Sequence, residues 1–187
     1  MSDGVQPGAP FYQNLGIYSA LAAVKLTSDE GSVTTLWTTI CAVYFPPGDG
    51  FKTAVNKPVL QDSTQPDLAV VRIVLSYVQL RGSVDLHEKQ ILVIECKRPS
   101  RDTPAEWSSA TEQLRHYCEN NVNASTRILA ATAIGRKVKF WRYDAPSLLP
   151  LSNVLDLSET QSQNEAIRML NYVRNTGYAW TESGGPP

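Results

Sequence analysis

The pattern of apolar and polar residues predicts four helices along the chain. Residues 14–26 are moderately apolar and predict a first helix that packs on the body of the protein. Residues 28–45 carry apolar side chains at helical spacing, and Ser28 is a suitable N-cap for a second helix. The apolar positions of this second helix, which we expect to be buried, are Val33, Leu36, Trp37, Ile40, Cys41 and Tyr44.

The other two helices lie in the C-terminal half of the sequence. Residues 103–121 begin with a capping box in which Thr103 is followed three residues later by Glu106, with a proline between them at the first helical position. A last helix is predicted over about 159–176, with an end near Gly177, because glycine commonly terminates helices.

The strands are predicted between these helices. Runs rich in β-branched residues at 51–60 and 66–80 predict two strands, and 90–97 predicts a third after a connecting loop at 81–89. Residues 125–144 predict a further pair of strands joined as a hairpin. The order of helix, three strands, helix and strand predicts an α/β fold with a central mixed sheet flanked by helices.

Length and composition are those of a single globular domain. The chain has 187 residues, with 42% hydrophobic and 19% charged residues, which fits one soluble domain with a substantial core. We place that core at roughly 28–143 and expect a flexible tail at 182–187. The net charge of -1 excludes a protein that coats nucleic acid by bulk charge, so any such contact needs a local basic patch.

Cysteine and histidine usage narrows the cellular setting and the chemistry. The three cysteines are widely spaced, which favours reduced, partly buried thiols and an intracellular protein of the cytoplasm or nucleus. The sequence shows neither a secretory signal nor a stretch that could span a membrane, so no membrane partner is expected. With only two histidines, a His-rich metal site is excluded.

The most informative segment is the end of the third predicted strand. Four aliphatic residues, 91–94, run directly into Glu95, Cys96 and Lys97. Side chains two residues apart on a strand share a face, so Glu95 and Lys97 lie side by side. If the 66–80 strand pairs with this one, Asp67 lies beside Glu95, and two carboxylates with a lysine suit a hard cation such as Mg²⁺ and phosphodiester cleavage.

These residues resemble the signature of the PD-(D/E)xK, or restriction-endonuclease-like, nuclease superfamily. The Pro66-Asp67 pair stands for the first part of the motif and Glu95-Cys96-Lys97 for the second, about thirty residues later. Gln113 and Tyr117 are similar to the QxxxY motif that RecB-type members carry on the helix after this strand. The resemblance covers roughly residues 28–143 and implies the αβββαβ core of that superfamily.

The resemblance also implies roles for individual residues. Asp67 and Glu95 would be metal ligands, together with the backbone carbonyl of Cys96, and Lys97 would be catalytic. Gln113 and Tyr117 would support the site or the scissile strand. The implied activity is Mg²⁺-dependent hydrolysis of nucleic acid, with Mn²⁺ as a substitute metal; we favour DNA over RNA as the substrate, although the sequence does not distinguish them. A homodimer is one possible assembly, although the sequence alone shows no self-complementary surface.

Two features depart from the superfamily pattern. Glu30 is the one candidate for the additional acid that many members place on the first core helix, and it falls at the start of that helix. The residues leading into Asp67 are Thr64 and Gln65 before the proline, where RecB-type members are often glycine-rich.

Alternatives to the catalytic interpretation remain open at the level of the sequence. Glu95 and Lys97 could form a structural ion pair, and Arg98, Arg101 and Arg115 could contact phosphates or be ordinary surface charges. The domain could be a catalytically silent nuclease-like fold that acts as a binding or regulatory module, or a fold repurposed for other chemistry.

Overall fold

The structure is a computed structural model, and it describes residues 10–55, 66–78 and 83–185. The helices of more than one turn are α1 (Leu15–Ala23), α2 (Glu30–Tyr44), α3 (Pro104–Glu119) and α4 (Thr160–Glu182). The strands are β1 (Phe51–Val55), β2 (Leu68–Val78), β3 (Ser83–Lys97), β4 (Arg127–Ile134), β5 (Lys137–Asp144), β6 (Ser147–Pro150) and β7 (Leu155–Asp156). Short 3₁₀ turns occupy Phe11–Gln13, Pro47–Asp49 and Pro99–Arg101.

The strands of the described residues form one mixed, mostly antiparallel sheet. Its order is β1-β2-β3-β4-β5-β6, and β7 pairs with the start of β5, on the edge that β6 pairs with further along. Only β3 and β4 run parallel, and α3 makes the crossover between them. A parallel pair needs such a crossover, so the α3 segment is the reason that the sheet is mixed.

Helices cover the sheet with two apolar clusters. The larger cluster joins α1, α2 and α4 to the strands, and Ile94 and Cys96 of β3 belong to it. The smaller cluster lies under α3 and contains Val93 of the same strand. Neighbouring residues of a strand point to opposite faces, so these memberships show that α3 lies on the opposite side of the sheet from α2 and α4. The fold is therefore α/β.

Helix α2 confirms the predicted apolar face and corrects its start. All six predicted apolar positions are buried. The N-cap is Asp29, not Ser28, because the Asp29 side chain accepts a hydrogen bond of 3.0 Å from the backbone N–H of Ser32. Ser28 instead accepts a bond from the backbone N–H of Lys25, in the preceding turn.

The predicted loop at 81–89 is wrong over most of its length. Strand β3 begins at Ser83 and pairs with β2 along its whole N-terminal part. Only Val84 and Leu86 alternate with polar residues here, which is too short a pattern to predict a strand from the sequence, and pairing with β2 supplies the structure instead. Of the predicted strand at 51–60, the structure describes Phe51–Val55, and the rest lies outside the described residues.

The C-terminal helix is longer than predicted, and the residues after it are ordered by hydrogen bonds. Gly177 does not end α4, which continues to Glu182. The glycine instead allows close packing against β3, since a Cβ at position 177 would lie only 3.2 Å from Cβ of Ile91. Within the segment expected to be a flexible tail, 182–187, the Gly184 carbonyl accepts hydrogen bonds from the backbone N–H and the side-chain hydroxyl of Thr126. Residues 186–187 lie outside the described part.

The structure also bears on the predicted state of the cysteines and on the predicted absence of membrane-spanning segments. Cys41, Cys96 and Cys118 are all free and buried, as the cysteine count predicted. In the described ranges, every helix is too short or too polar to cross a membrane.

Candidate functional site

The candidate site is built where β2 begins and β3 ends. The antiparallel register places Leu68 opposite Ile94, which brings Asp67 next to Glu95. The backbone N–H of Cys96 donates a hydrogen bond of 2.7 Å to Oδ2 of Asp67. The Asp67 carboxylate thus accepts the hydrogen bond that a backbone carbonyl of a paired strand would normally accept. This bond holds the Asp67 side chain against the end of β3.

Glu95 and Lys97 form the second part of the site. The Lys97 ammonium donates to Oε1 of Glu95 at 2.5 Å, and Glu95 is only 3% exposed. Both residues alternate with Ile94 and Cys96, so they lie on the α3 side of the sheet. The arrangement places one ammonium group and two carboxyl groups within a few ångströms of the same strand end.

Glu30, at the N-terminus of α2, adds a third carboxyl group to the electrostatic cluster. Burial raises its pKa, the Lys97 charge lowers it, and the neighbouring charges of Asp67 and Glu106 raise it. Glu106 belongs to the first turn of α3, so the first turns of α2 and α3 both lie near this end of the sheet. The sequence indicated Glu106 only as part of a helix cap, in which Thr103 accepts from the Glu106 N–H at 3.3 Å.

The buried carboxyl groups hold their protons more tightly than usual. Burial, followed by the nearby charge of Asp67, raises the pKa of Glu95 to about 7. Burial also raises the pKa of Asp67, although the Cys96 N–H and the Lys97 charge lower it in part. Asp67, which lies beside Glu95, is in turn one of the causes of the raised pKa of Glu95.

Lys97 remains a cation in this environment. Burial lowers its pKa, but the hydrogen bond and charge of Glu95, followed by the charges of Glu30 and Asp67, outweigh burial and raise it. One ammonium therefore faces three carboxyl groups. When these are ionised the cluster has an excess of negative charge, which favours the binding of a further cation.

The donor set fits a cation that retains most of its water. In the described residues, no three His, Cys, Asp or Glu side chains are grouped closely enough to hold a metal on their own. The bonds from the Cys96 N–H and from Lys97 engage one oxygen each of Asp67 and Glu95, and they leave the other oxygen of each carboxyl. Two carboxylates with several waters are a usual Mg²⁺ environment.

The backbone of Cys96 adds a third suitable oxygen. Because the N–H and C=O of one strand residue point to the same edge, the Cys96 carbonyl faces the edge at which Asp67 lies. The side chain of Cys96 is fully buried on the other face of the sheet, so its thiol takes no part in this group.

The two residues of the predicted QxxxY motif lie further along α3. Gln113 is exposed, in the middle of the helix. It follows Glu106 by seven residues, so the two lie within about 20° of each other around the helix axis. Tyr117 is buried in the smaller apolar cluster with Val93. The motif residues thus lie on the helix that packs against β3.

The three predicted substrate-binding arginines are in different environments. Arg98 is exposed and close enough to lower the pKa of Glu30. Arg101 is exposed and lies 3.6 Å from the Glu106 carboxylate. Arg115 forms ion pairs with two glutamates one turn away on either side of it in α3, so its charge is partly neutralised within its own helix. Only Arg98 and Arg101 lie close to the cluster.

The charged cluster is mostly shielded from solvent at Glu95 and Lys97, whose side chains are 4% and 16% exposed. A cavity of about 380 Å³ lies nearby, beyond the turn at Pro99, and its lining includes Lys25, Arg136 and Lys137. Asp67, Glu95 and Lys97 do not line it.

Comparisons with known proteins identify no relative of this chain. Scans against protein-family models, curated proteins and solved structures found no match to this chain.

Proposed function

We propose that this chain is a metal-dependent nuclease that hydrolyses phosphodiester bonds, with DNA favoured over RNA as the substrate. The observation that carries the proposal is the convergence of Asp67, Glu95 and Lys97 at one strand end. An active site with two acids and one lysine needs no histidine, and neither histidine of this chain lies on β2, at the end of β3 or on α2.

The order of elements around the cluster supports the same proposal. Helices α1 and α2 precede three antiparallel strands, and α3 then leads to a strand parallel to β3. The resemblance implies a helix, three strands, a helix and a strand, and the part from α2 to β4 is compatible with that expectation. The residues of its two motif parts, which are about thirty positions apart in the sequence, lie immediately before β2 and at the end of β3, two strands that pair with each other.

Each residue of the cluster has a chemical role in this proposal. Asp67 and Glu95, with the Cys96 carbonyl, would hold a Mg²⁺ ion, and Mn²⁺ would substitute for it. When bound, such an ion lowers the pKa of a coordinated water and stabilises negative charge on a phosphoryl oxygen. Lys97 keeps a positive charge beside the acids, where it can neutralise charge that develops on the phosphate.

The proton on the carboxyl pair makes cation binding sensitive to pH. Below about pH 7, Glu95 is largely protonated and is a poor ligand, because metal ligands must be deprotonated. Cation binding then releases that proton. Metal affinity and metal-dependent activity should therefore both rise as the pH increases through about 7.

The test is a cleavage assay with duplex DNA, single-stranded DNA and RNA, in Mg²⁺, in Mn²⁺ and in a chelator. The wild-type protein should cleave only with metal, and Lys97→Ala should lower the rate by roughly 10²-fold or more. Lys89→Ala is the matched control, because Lys89 lies on the same strand and also pairs with a glutamate at 2.5 Å. It should cleave like the wild type.

Other results would replace the proposal with one of its alternatives. Binding of an oligonucleotide without cleavage under every metal condition would identify a silent nuclease-like binding module. Neither binding nor cleavage would leave a fold used for other chemistry. Equal losses in Lys97→Ala and Lys89→Ala would assign Lys97 a structural role only.

A further inference from the structure

The N-terminal part of β3 and the C-terminal part of β2 form a two-stranded ribbon that extends beyond the rest of the sheet. Strand β1 pairs with β2 only as far as Arg72, and β4 pairs with β3 only from Leu92. Over the described ranges, no strand pairs with the outer edge of β3 between Ser83 and Lys89. Such an edge is a template for a further strand.

The side chain of Asn123 shows which backbone groups of this edge point outward. Its Oδ1 accepts from the N–H of Gln90 at 3.0 Å, and its Nδ2 donates to the Gln90 carbonyl at 2.7 Å. Backbone groups alternate in direction along a strand, so the N–H and C=O of Leu86 and Glu88 also point away from β2. Leu86 is therefore able to exchange two hydrogen bonds with an added antiparallel strand.

The ribbon also exposes an apolar pair. Leu86 is 61% exposed, and its direct cross-strand partner Leu75 is 66% exposed. An isolated two-stranded ribbon is only marginally stable in water, and additional strands stabilise it. This part of the fold thus lacks both a neighbouring strand and a cover for its leucines within the described residues.

We propose that two copies of this chain associate by antiparallel pairing of their β3 edges, with the two-fold axis at Leu86. In this register Leu86 faces Leu86 of the second copy, and the leucines of both ribbons form a continuous row of four across the joined strands. Asp85 lies opposite His87 of the second copy, and both are exposed. A two-fold axis produces this pairing of an acid with a base twice.

The charges of the edge select this register. Centring the pairing on Glu88, two residues further along, would place the Glu88 carboxylates of the two copies opposite each other and would no longer pair Asp85 with His87. Like charges directly opposite each other destabilise a strand pair, whereas opposite charges stabilise it. The same charges also discourage pairing with an unrelated strand. This inference does not rest on the nuclease proposal, and failure of one leaves the other standing.

A disulfide test distinguishes this edge from the other edge of the ribbon. A hydrogen-bonded antiparallel pair has Cα atoms about 5.5 Å apart, which lies within the range that disulfides span. Oxidised Leu86→Cys should therefore run as a covalent dimer. Leu75→Cys is the matched control, because it is equally exposed but would lie three strand spacings, roughly 14 Å, from its counterpart. The three native thiols are buried.

A charge exchange tests the register in solution, with sedimentation of the full chain as the measurement. Asp85→Lys should weaken dimerisation roughly tenfold, since it removes the acid that faces His87 at two symmetric positions. Adding His87→Glu to that variant should restore the affinity. Circular dichroism would confirm that these exposed substitutions leave the fold intact.

Three outcomes would overturn the proposal. The first is a wild-type chain that stays monomeric at high micromolar concentration. The second is disulfide crosslinking of Leu75→Cys as efficient as that of Leu86→Cys. The third is a double variant whose dimer affinity is no higher than that of Asp85→Lys alone.

Discussion

Replacing Glu95 by glutamine should stabilise the protein, and increasingly so as the pH rises. Glu95 is 3% exposed, and burial raises the pKa of its carboxyl from 4.5 to about 7. Glutamine has nearly the same shape, cannot ionise, and can donate a hydrogen bond to Asp67. The substitution therefore removes the cost of burying a charge without creating a cavity.

The size and sign of the effect follow from proton linkage. Between pH 4.5 and about 7 the unfolded chain has lost the Glu95 proton while the folded protein keeps it. The unfolded state then binds fewer protons, so wild-type stability falls as the pH rises through this window. At about 1.4 kcal/mol per pH unit, the total loss above pH 7 is roughly 3 kcal/mol, and the variant should not show it.

The assay is urea denaturation of wild type and Glu95→Gln at several pH values from 4 to 9. The difference in unfolding free energy should be close to zero at pH 4 and reach roughly 3 kcal/mol at pH 8. Glu88→Gln is the control, since Glu88 lies on the same strand and pairs with Lys52 at 2.6 Å, but on the surface. An exposed pair contributes at most about 1 kcal/mol, so this control should change little at any pH.

One result would refute the reasoning about burial. If Glu95→Gln is less stable than the wild type, and the deficit grows as the pH rises, then the ion pair with Lys97 outweighs the cost of burying the carboxylate. Glu95 and Lys97 would then be a structural pair, which was the alternative left open by the sequence.

Two further predictions separate the core from the charged cluster. Ile94→Ala, at a fully buried position between Val93 and Glu95, should lower the unfolding free energy by roughly 2–5 kcal/mol in urea denaturation, and a loss under about 1 kcal/mol would contradict its place in the core. Mg²⁺ should raise the melting temperature of the wild type at pH 8 as its concentration passes the dissociation constant, but not that of Asp67→Asn; an equal rise in both would place the cation elsewhere.

The parts of the fold that were predictable are those whose pattern is set by burial. Helix α2 has one apolar face against the larger core, so the spacing from Val33 to Tyr44 predicted it directly. The hairpin of β4 and β5 was predicted because Gly135 turns between two apolar runs, with a φ of 59°. The strand at 83–89 was not predicted, because it is formed by hydrogen bonding to β2 and its residues from Asp85 to Glu88 are exposed, so burial leaves no pattern in the sequence.

The site was predictable as far as it is local to the strands. The alternation of Glu95 and Lys97 fixed their common face, and one assumption about strand pairing placed Asp67 beside them. The orientation of the helices was not available from the sequence. That is why the proximity of Glu30 to Glu106, and the pairing of Arg115 within its own helix, appear only in the structure.

The glycine that fails to end α4 has a consequence for how the protein can move. Without a side chain, Gly177 lets Ile91 of β3 sit directly against the helix, and a bond from Ser125 to the Thr181 carbonyl fastens the helix again one turn later. This close packing of Ile91 against Gly177 resists sliding of α4 along the sheet, because any shift along the helix axis would press Ile91 against a neighbouring side chain of the helix. Helix α4 and the sheet should therefore move as one body, so any closure around a substrate must come from elements on the other side of the sheet.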